Sequence, residues 1–185
     1  MPRAAAGVRL IGIPLAGAIV LALIAGWTDL RSRRIPNWLT VPAVFAGMAA
    51  NVATRGLGGG LKTSLLGAAL GLVLLLPFVL LRALGAGDWK LAGALGAFVG
   101  PSLLVDLLLG SVFVAGLMAL ILVIYKGRFR QTLSNIGHIL VSLVTFRLPG
   151  HSVTLDNPDA LKVPYGVALA ATVLIYGVAR VWKVV

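Results

Sequence analysis

Cysteine and glutamate are both absent, and the 185 residues hold five acidic groups in all: Asp29, Asp88, Asp106, Asp156 and Asp159. Without cysteine there is no disulfide, no thiolate metal site and no mark of redox compartment. The two histidines, His138 and His151, are too few and too far apart for a metal centre, and no His/Glu helix motif supports one. The alternating ten-residue strand patterns of an outer-membrane barrel are missing as well. So is a phosphate-binding loop: no Lys-Ser/Thr at a helix start follows Gly58-Gly59-Gly60, which reads as a loop tip on the outer side.

Apolar residues dominate what is present. They make up 59% of the chain against 11% charged, and the mean hydropathy of +1.03 excludes an ordinary soluble domain. Stretches near the roughly 17–25 residues that cross a ~30 Å hydrocarbon core recur along it. They are Leu10–Gly26, Trp38–Val52, Leu61–Leu84, Trp89–Val99, Leu103–Tyr125 and Tyr165–Val181. The fold class expected is an all-α polytopic membrane protein, with about six transmembrane helices in a single membrane-embedded domain over 1–185. Met1–Arg9 and Leu10–Gly26 mimic a signal peptide, but Arg31, Arg33 and Arg34 follow without a clear small-x-small cleavage site, so a retained first span is expected. The fourth span is short. From Asp88 to Val99 a helix reaches only about 18 Å, and Gly100-Pro101-Ser102 marks either a turn or a kink in a longer helix. Trp27, Trp38, Trp89 and Tyr125 stand at span ends, where an aromatic belt would place them.

The net charge of +11 does not point to nucleic acid, because the cations lie between apolar spans rather than along one face. They read as topology. With the amino terminus outside, ten of the sixteen Lys and Arg fall in inner loops, which sets both Asp29 and Asp88 at the cytoplasmic ends of their spans in a plasma membrane. Residues 126–164 form the one long polar interval. Within it Leu133, Ile136, Leu140, Leu143 and Val144 recur at helical spacing, so an amphipathic helix at the cytoplasmic interface is expected there. Gly67, Gly71, Gly93, Gly96 and Gly100 are spaced for close helix packing.

An ionisable group at the edge of or inside such a span is costly and is by default a functional candidate. Asp29 and Asp88 are those groups. If two carboxylates meet, one ionised can deprotonate a water while the other, protonated, donates to a scissile carbonyl. The apparatus would need no metal and no covalent intermediate. Which aspartate is base and which is acid stays open, since protons on such a pair belong to both. Gly85 and Gly87 flank Asp88 with the freedom to adopt φ > 0. After Asp29, Ile35-Pro36-Asn37 stops a loop and restarts a helix, with Asn37 a candidate N-cap. Lys90 could tune the carboxylate or bind lipid headgroups.

Two stretches carry a resemblance. Asp29-Leu30-Arg31-Ser32-Arg33-Arg34-Ile35-Pro36-Asn37 and Gly85-Ala86-Gly87-Asp88-Trp89-Lys90 resemble the motifs of the type IV prepilin leader peptidases, bacterial GxGD-type intramembrane aspartyl peptidases. Val163-Pro164-Tyr165-Gly166 is similar, more weakly, to the Pro-Tyr-Gly that opens the family's last span. The resemblance implies catalytic Asp29 and Asp88, support from Gly85, Gly87, Lys90, Ile35, Pro36 and Asn37, and no cofactor. It implies a prepilin or pseudopilin precursor as partner, with a transmembrane helix and a basic leader that anionic lipid could recruit. Larger members carry a Cys-x-x-Cys insert and N-methylate their product. This chain has no cysteine and looks like the compact Tad/Flp-associated form, so neither zinc nor S-adenosylmethionine is expected.

Blander readings compete. Asp88 could be a helix N-terminal aspartate favoured by the macrodipole, and Asp29 a partner for Arg31–Arg34. Asp106 reads as interfacial, and Asp156 and Asp159 as solvated loop residues. A small transporter using the two aspartates as a proton relay, or a secretion-machine scaffold, are the rival functions.

Overall fold

The computed structural model describes residues 2–128, 130, 132–135, 137 and 163–182, with side chains described between residues 12 and 180. All regular structure among the described residues is helical. The expected amphipathic helix of 126–164 lies largely outside them, as do His138, His151, Asp156 and Asp159.

The first helix, α1 (Pro2–Ser32), is stopped by Arg33 in the left-handed region at φ 52, whose N–H bonds the Asp29 carbonyl at 2.8 Å. Pro36, extended at φ −76 and ψ 149, then opens α2 (Asn37–Arg55). Asn37 is therefore the first helical residue rather than the N-cap expected of it. A single residue, Gly56 at φ 78, joins α2 to α3 (Leu57–Leu80). Gly58-Gly59-Gly60 is not a loop tip: it forms the start of α3, because Gly60 lets that helix lie directly on the Asn51 backbone.

The fourth helix, α4 (Ala86–Tyr125), is 40 residues long and broken at Gly100 (φ 77, ψ 176). Straight, it would run about 60 Å, twice the hydrocarbon thickness. The break divides it into arms 86–99 and 101–125, which correspond to the fourth and fifth expected spans. The last helix is α5 (Tyr165–Trp182). Among the described residues these make six apolar helical segments, matching the six expected spans, and residues 130, 132–135 and 137 are helical as well.

Residues 91–100 are buried without exception, so the first arm of α4 is the axis of the bundle. It packs chiefly on α3, where Gly71 meets the Ala92 backbone and Gly67 meets Gly96. A Cβ on Gly71 would stand 2.8 Å from the Ala92 carbonyl carbon. The outer surface is apolar: Phe45, Val73, Leu80, Phe113 and Ile175 are each more than 60% exposed. Three apolar helical stretches, Gly12–Ser32, Leu57–Leu80 and Ala86–Tyr125, are long enough to cross a membrane. An apolar surface over such helices belongs to a protein whose solvent is lipid.

Candidate active site

Five helix ends meet at one end of this bundle. The end of α1 brings Asp29 and the start of α4 brings Asp88, with the starts of α2 and α5 and the end of α3 around them. Asp88 is the third residue of α4 and its carboxylate reaches back to the backbone N–H of Gly85, the N-cap. That is half of a capping box, so the orphan amide of Gly85 helps hold the side chain in place.

Asp29 is only 6% exposed. It faces the backbone amides of Gly166 and Val167 in the first turn of α5. The Gly166 amide also faces Asp88, and the charge of Asp29 acts on Asp88 directly. One backbone N–H thus addresses both carboxylates. Oδ2 of Asp29 is buried and forms no hydrogen bond of its own, so α5 offers this oxygen the field of its amino-terminal amides rather than a formed bond. An orphaned buried acceptor costs about 1–3 kcal/mol, and such costs persist mainly at sites of chemistry.

The two glycines before Asp88 act through space, not through unusual backbone. Gly85 has φ −70 and ψ 142, and neither Gly85 nor Gly87 has positive φ. A Cβ on Gly85 would lie 3.0 Å from Asp88 Oδ2, and one on Gly87 would lie 3.1 Å from Ile35 Cβ. Ile35, 7% exposed, also approaches Gly166, where a Cβ would lie 3.0 Å from Ile35 Cδ1 and 2.9 Å from Asp29 Oδ2. The isoleucine is a wedge between the starts of α4 and α5. Glycine is needed where it touches each.

Lys90 Nζ donates to Asn37 Oδ1 at 2.9 Å, which ties α4 to α2 across the mouth of the site. Trp89 does not join the exposed belt of Trp27, Trp38 and Tyr125. Its Nε1 instead donates to the Leu72 carbonyl at 2.6 Å. A cavity of about 480 Å³ unites Asp29, Ile35, Pro36, Asn37, Gly85, Gly87, Asp88 and Lys90 with Arg33, Arg34 and Ala86. All eight residues picked out by the sequence line it.

Sequence reasoning missed part of the surround. Gly166 and Tyr165 stood out only as a weak motif, and Ser111 not at all. The Tyr165 hydroxyl and Ser111 Oγ are 2.7 Å apart, while Ser111 Oγ donates its proton to the Leu108 carbonyl at 2.7 Å. A hydroxyl has one proton to give, so Tyr165 is the donor to Ser111. This bond ties the first turn of α5 to the second arm of α4. A serine inside an apolar run leaves no motif to read. Among the described residues no three His, Cys, Asp or Glu side chains gather as a metal site.

A prepilin leader peptidase/N-methyltransferase of Xanthomonas campestris pv. campestris is 35% identical over 126 residues, covering 63% of this chain and 43% of that protein. The chain therefore matches less than half the length of this relative. No solved structure matches it. The sequence profile of the type IV leader peptidase family matches residues 16–124, a stretch that contains both aspartates and both motifs. By that match over more than half its length, the chain belongs to the type IV leader peptidase family.

Proposed function

We propose that this protein is a membrane endopeptidase that removes the leader from type IV prepilin or pseudopilin precursors. Asp29 and Asp88 are its catalytic pair. The observation that carries the reading is their convergence, from α1 and α4, on one cavity.

With one proton shared across the pair, one carboxylate is ionised and the other protonated. The ionised one takes a proton from water, the protonated one donates to the scissile carbonyl, and water adds to the carbonyl carbon. Collapse of the tetrahedral intermediate breaks the C–N bond as the carboxyl that took the proton from water passes it to the leaving amine. The amino-terminal amides of α5 favour the negative charge that remains. The substrate's apolar helix lies beside the enzyme in the plasma membrane, with the leader on the cytoplasmic side. Arg33, Arg34 and Lys90 line the cavity, so a basic leader is not drawn by the site itself. Anionic lipid recruits it instead. The reading covers proteolysis and not methyl transfer.

The test is cleavage of a prepilin by the purified protein in vesicles with and without anionic lipid. Wild type cleaves, and more slowly without anionic lipid. Asp29→Asn and Asp88→Asn each lower the rate at least about a thousandfold. Cleavage that survives both substitutions rejects the mechanism, and unchanged cleavage without anionic lipid rejects the recruitment. Solute flux controlled by the aspartates, with no cleavage, would instead identify a transporter.

A further inference from the structure

The helix that delivers Asp88 is broken 12 residues later, at Gly100. Pro101 has no N–H for the Ala97 carbonyl, and Gly100 turns the chain out of helical line. The carbonyls that end the first arm thereby lose their intrahelical donors, and within a bilayer such groups must find partners in the protein. Asn51, near the end of α2 and fully buried, supplies them. Its Nδ2 donates to the Ala97 carbonyl at 2.9 Å and the Phe98 carbonyl at 2.8 Å, with the Gly47 carbonyl at 3.3 Å. Oδ1 of the same amide is buried without a partner. Turned over, the amide would set an acceptor against three carbonyl oxygens, so its orientation is determined.

Toward α2 and α3 the arm so capped is closely apposed, backbone to backbone. Gly47 lies on its Ala97–Phe98 backbone and Gly71 on its Ala92–Gly93 backbone. Backbone-to-backbone packing of this kind gives little grip along the axis. Directional bonds set the level: Trp89 Nε1 to Leu72 and Lys90 Nζ to Asn37 at the near end, and Asn51 at the far end.

We infer that Asn51 is a positioning residue, which fixes from about 15 Å away the height and rotation at which Asp88 arrives beside Asp29. The inference rests on the proposed peptidase reading for what Asp88 does once there.

The variant is Asn51→Leu, similar in size and without a donor. It is made beside wild type in a Trp27→Phe, Trp38→Phe, Trp182→Phe background, which leaves Trp89 as the one indole next to Asp88. Expected are a kcat loss on the order of 100-fold, a KM within about twofold of wild type, and a shift in Trp89 emission and quencher access. Wild-type kcat in folded Asn51→Leu overturns the inference. So does a kcat loss with Trp89 unmoved, or a change confined to KM. If Asn51→Leu does not fold, Asn51→Ser, which keeps one donor, is measured in its place: a smaller kcat loss with Trp89 displaced supports the inference, and full kcat overturns it. Should wild type cleave no prepilin, the peptidase reading fails, while the Trp89 signal still decides whether Asn51 sets the arm.

Discussion

Three buried side-chain oxygens among the described residues have no hydrogen-bond partner: Asp29 Oδ2, Thr40 Oγ1 and Asn51 Oδ1. The first belongs to the candidate dyad and the third to the residue that caps the helix bearing Asp88. Nothing in the structure explains the orphaned Thr40 hydroxyl. Gly166 is the tightest point of the proposed dyad, because any side chain there enters the space of Asp29. Gly166→Ala should cut cleavage on the order of 100-fold, as displacement by a few tenths of an ångström to 1 Å does at such sites, while thermal stability falls modestly. Adding Ile35→Val removes the Cδ1 contact at 3.0 Å but not the Asp29 contact at 2.9 Å. The double variant should therefore regain stability and not activity, measured by melting in detergent and by prepilin turnover. Recovery of both would place the effect at Ile35 instead. At this scale Asp29 and Asp88 were legible because charge in an oily chain is costly. Gly166 and Asn51 were not, since a glycine and an asparagine near span ends fit ordinary packing and interfaces equally well.

At the scale of elements, the seam between α3 and the first arm of α4 decides where Asp88 stands. Gly71 has no room for a side chain against the Ala92 backbone. Gly71→Leu should push the two helices apart and destabilise the fold by about 1–3 kcal/mol, with cleavage lost in parallel. Val73→Leu, on the lipid-facing side at 67% exposure, should change both little. Equal effects of the two substitutions, in a denaturation series, would contradict the seam. The small-residue spacing that makes this contact was visible in the sequence, as was the weakness of the chain at Gly100-Pro101. Local signals misled at Gly58-Gly59-Gly60 and at Gly85 and Gly87. There Gly60 lets α3 lie on the Asn51 backbone, Gly85 leaves room for the Asp88 carboxylate and Gly87 lets Ile35 come close, and only the assembled bundle shows which purpose applies.

For the whole molecule, helices α1 to α4 joined by short turns, together with α5, bring to one end the groups that the sequence spreads over 137 positions, from Asp29 to Gly166. The spans and the two acidic motifs could be read directly. Their convergence on α5 could not, because α5 follows the long interval after Tyr125 and is tied in by Tyr165 and Ser111, a pair with no periodic or motif signal. The central claim is that Asp29 and Asp88 act as one catalytic unit. The most direct measurement is a double-mutant cycle on prepilin cleavage: wild type, Asp29→Asn, Asp88→Asn and both together. Members of a single unit are grossly non-additive, so each single variant should be about as inactive as the double. Two single losses that are partial and multiply in the double variant would show two independent groups, and would contradict the dyad.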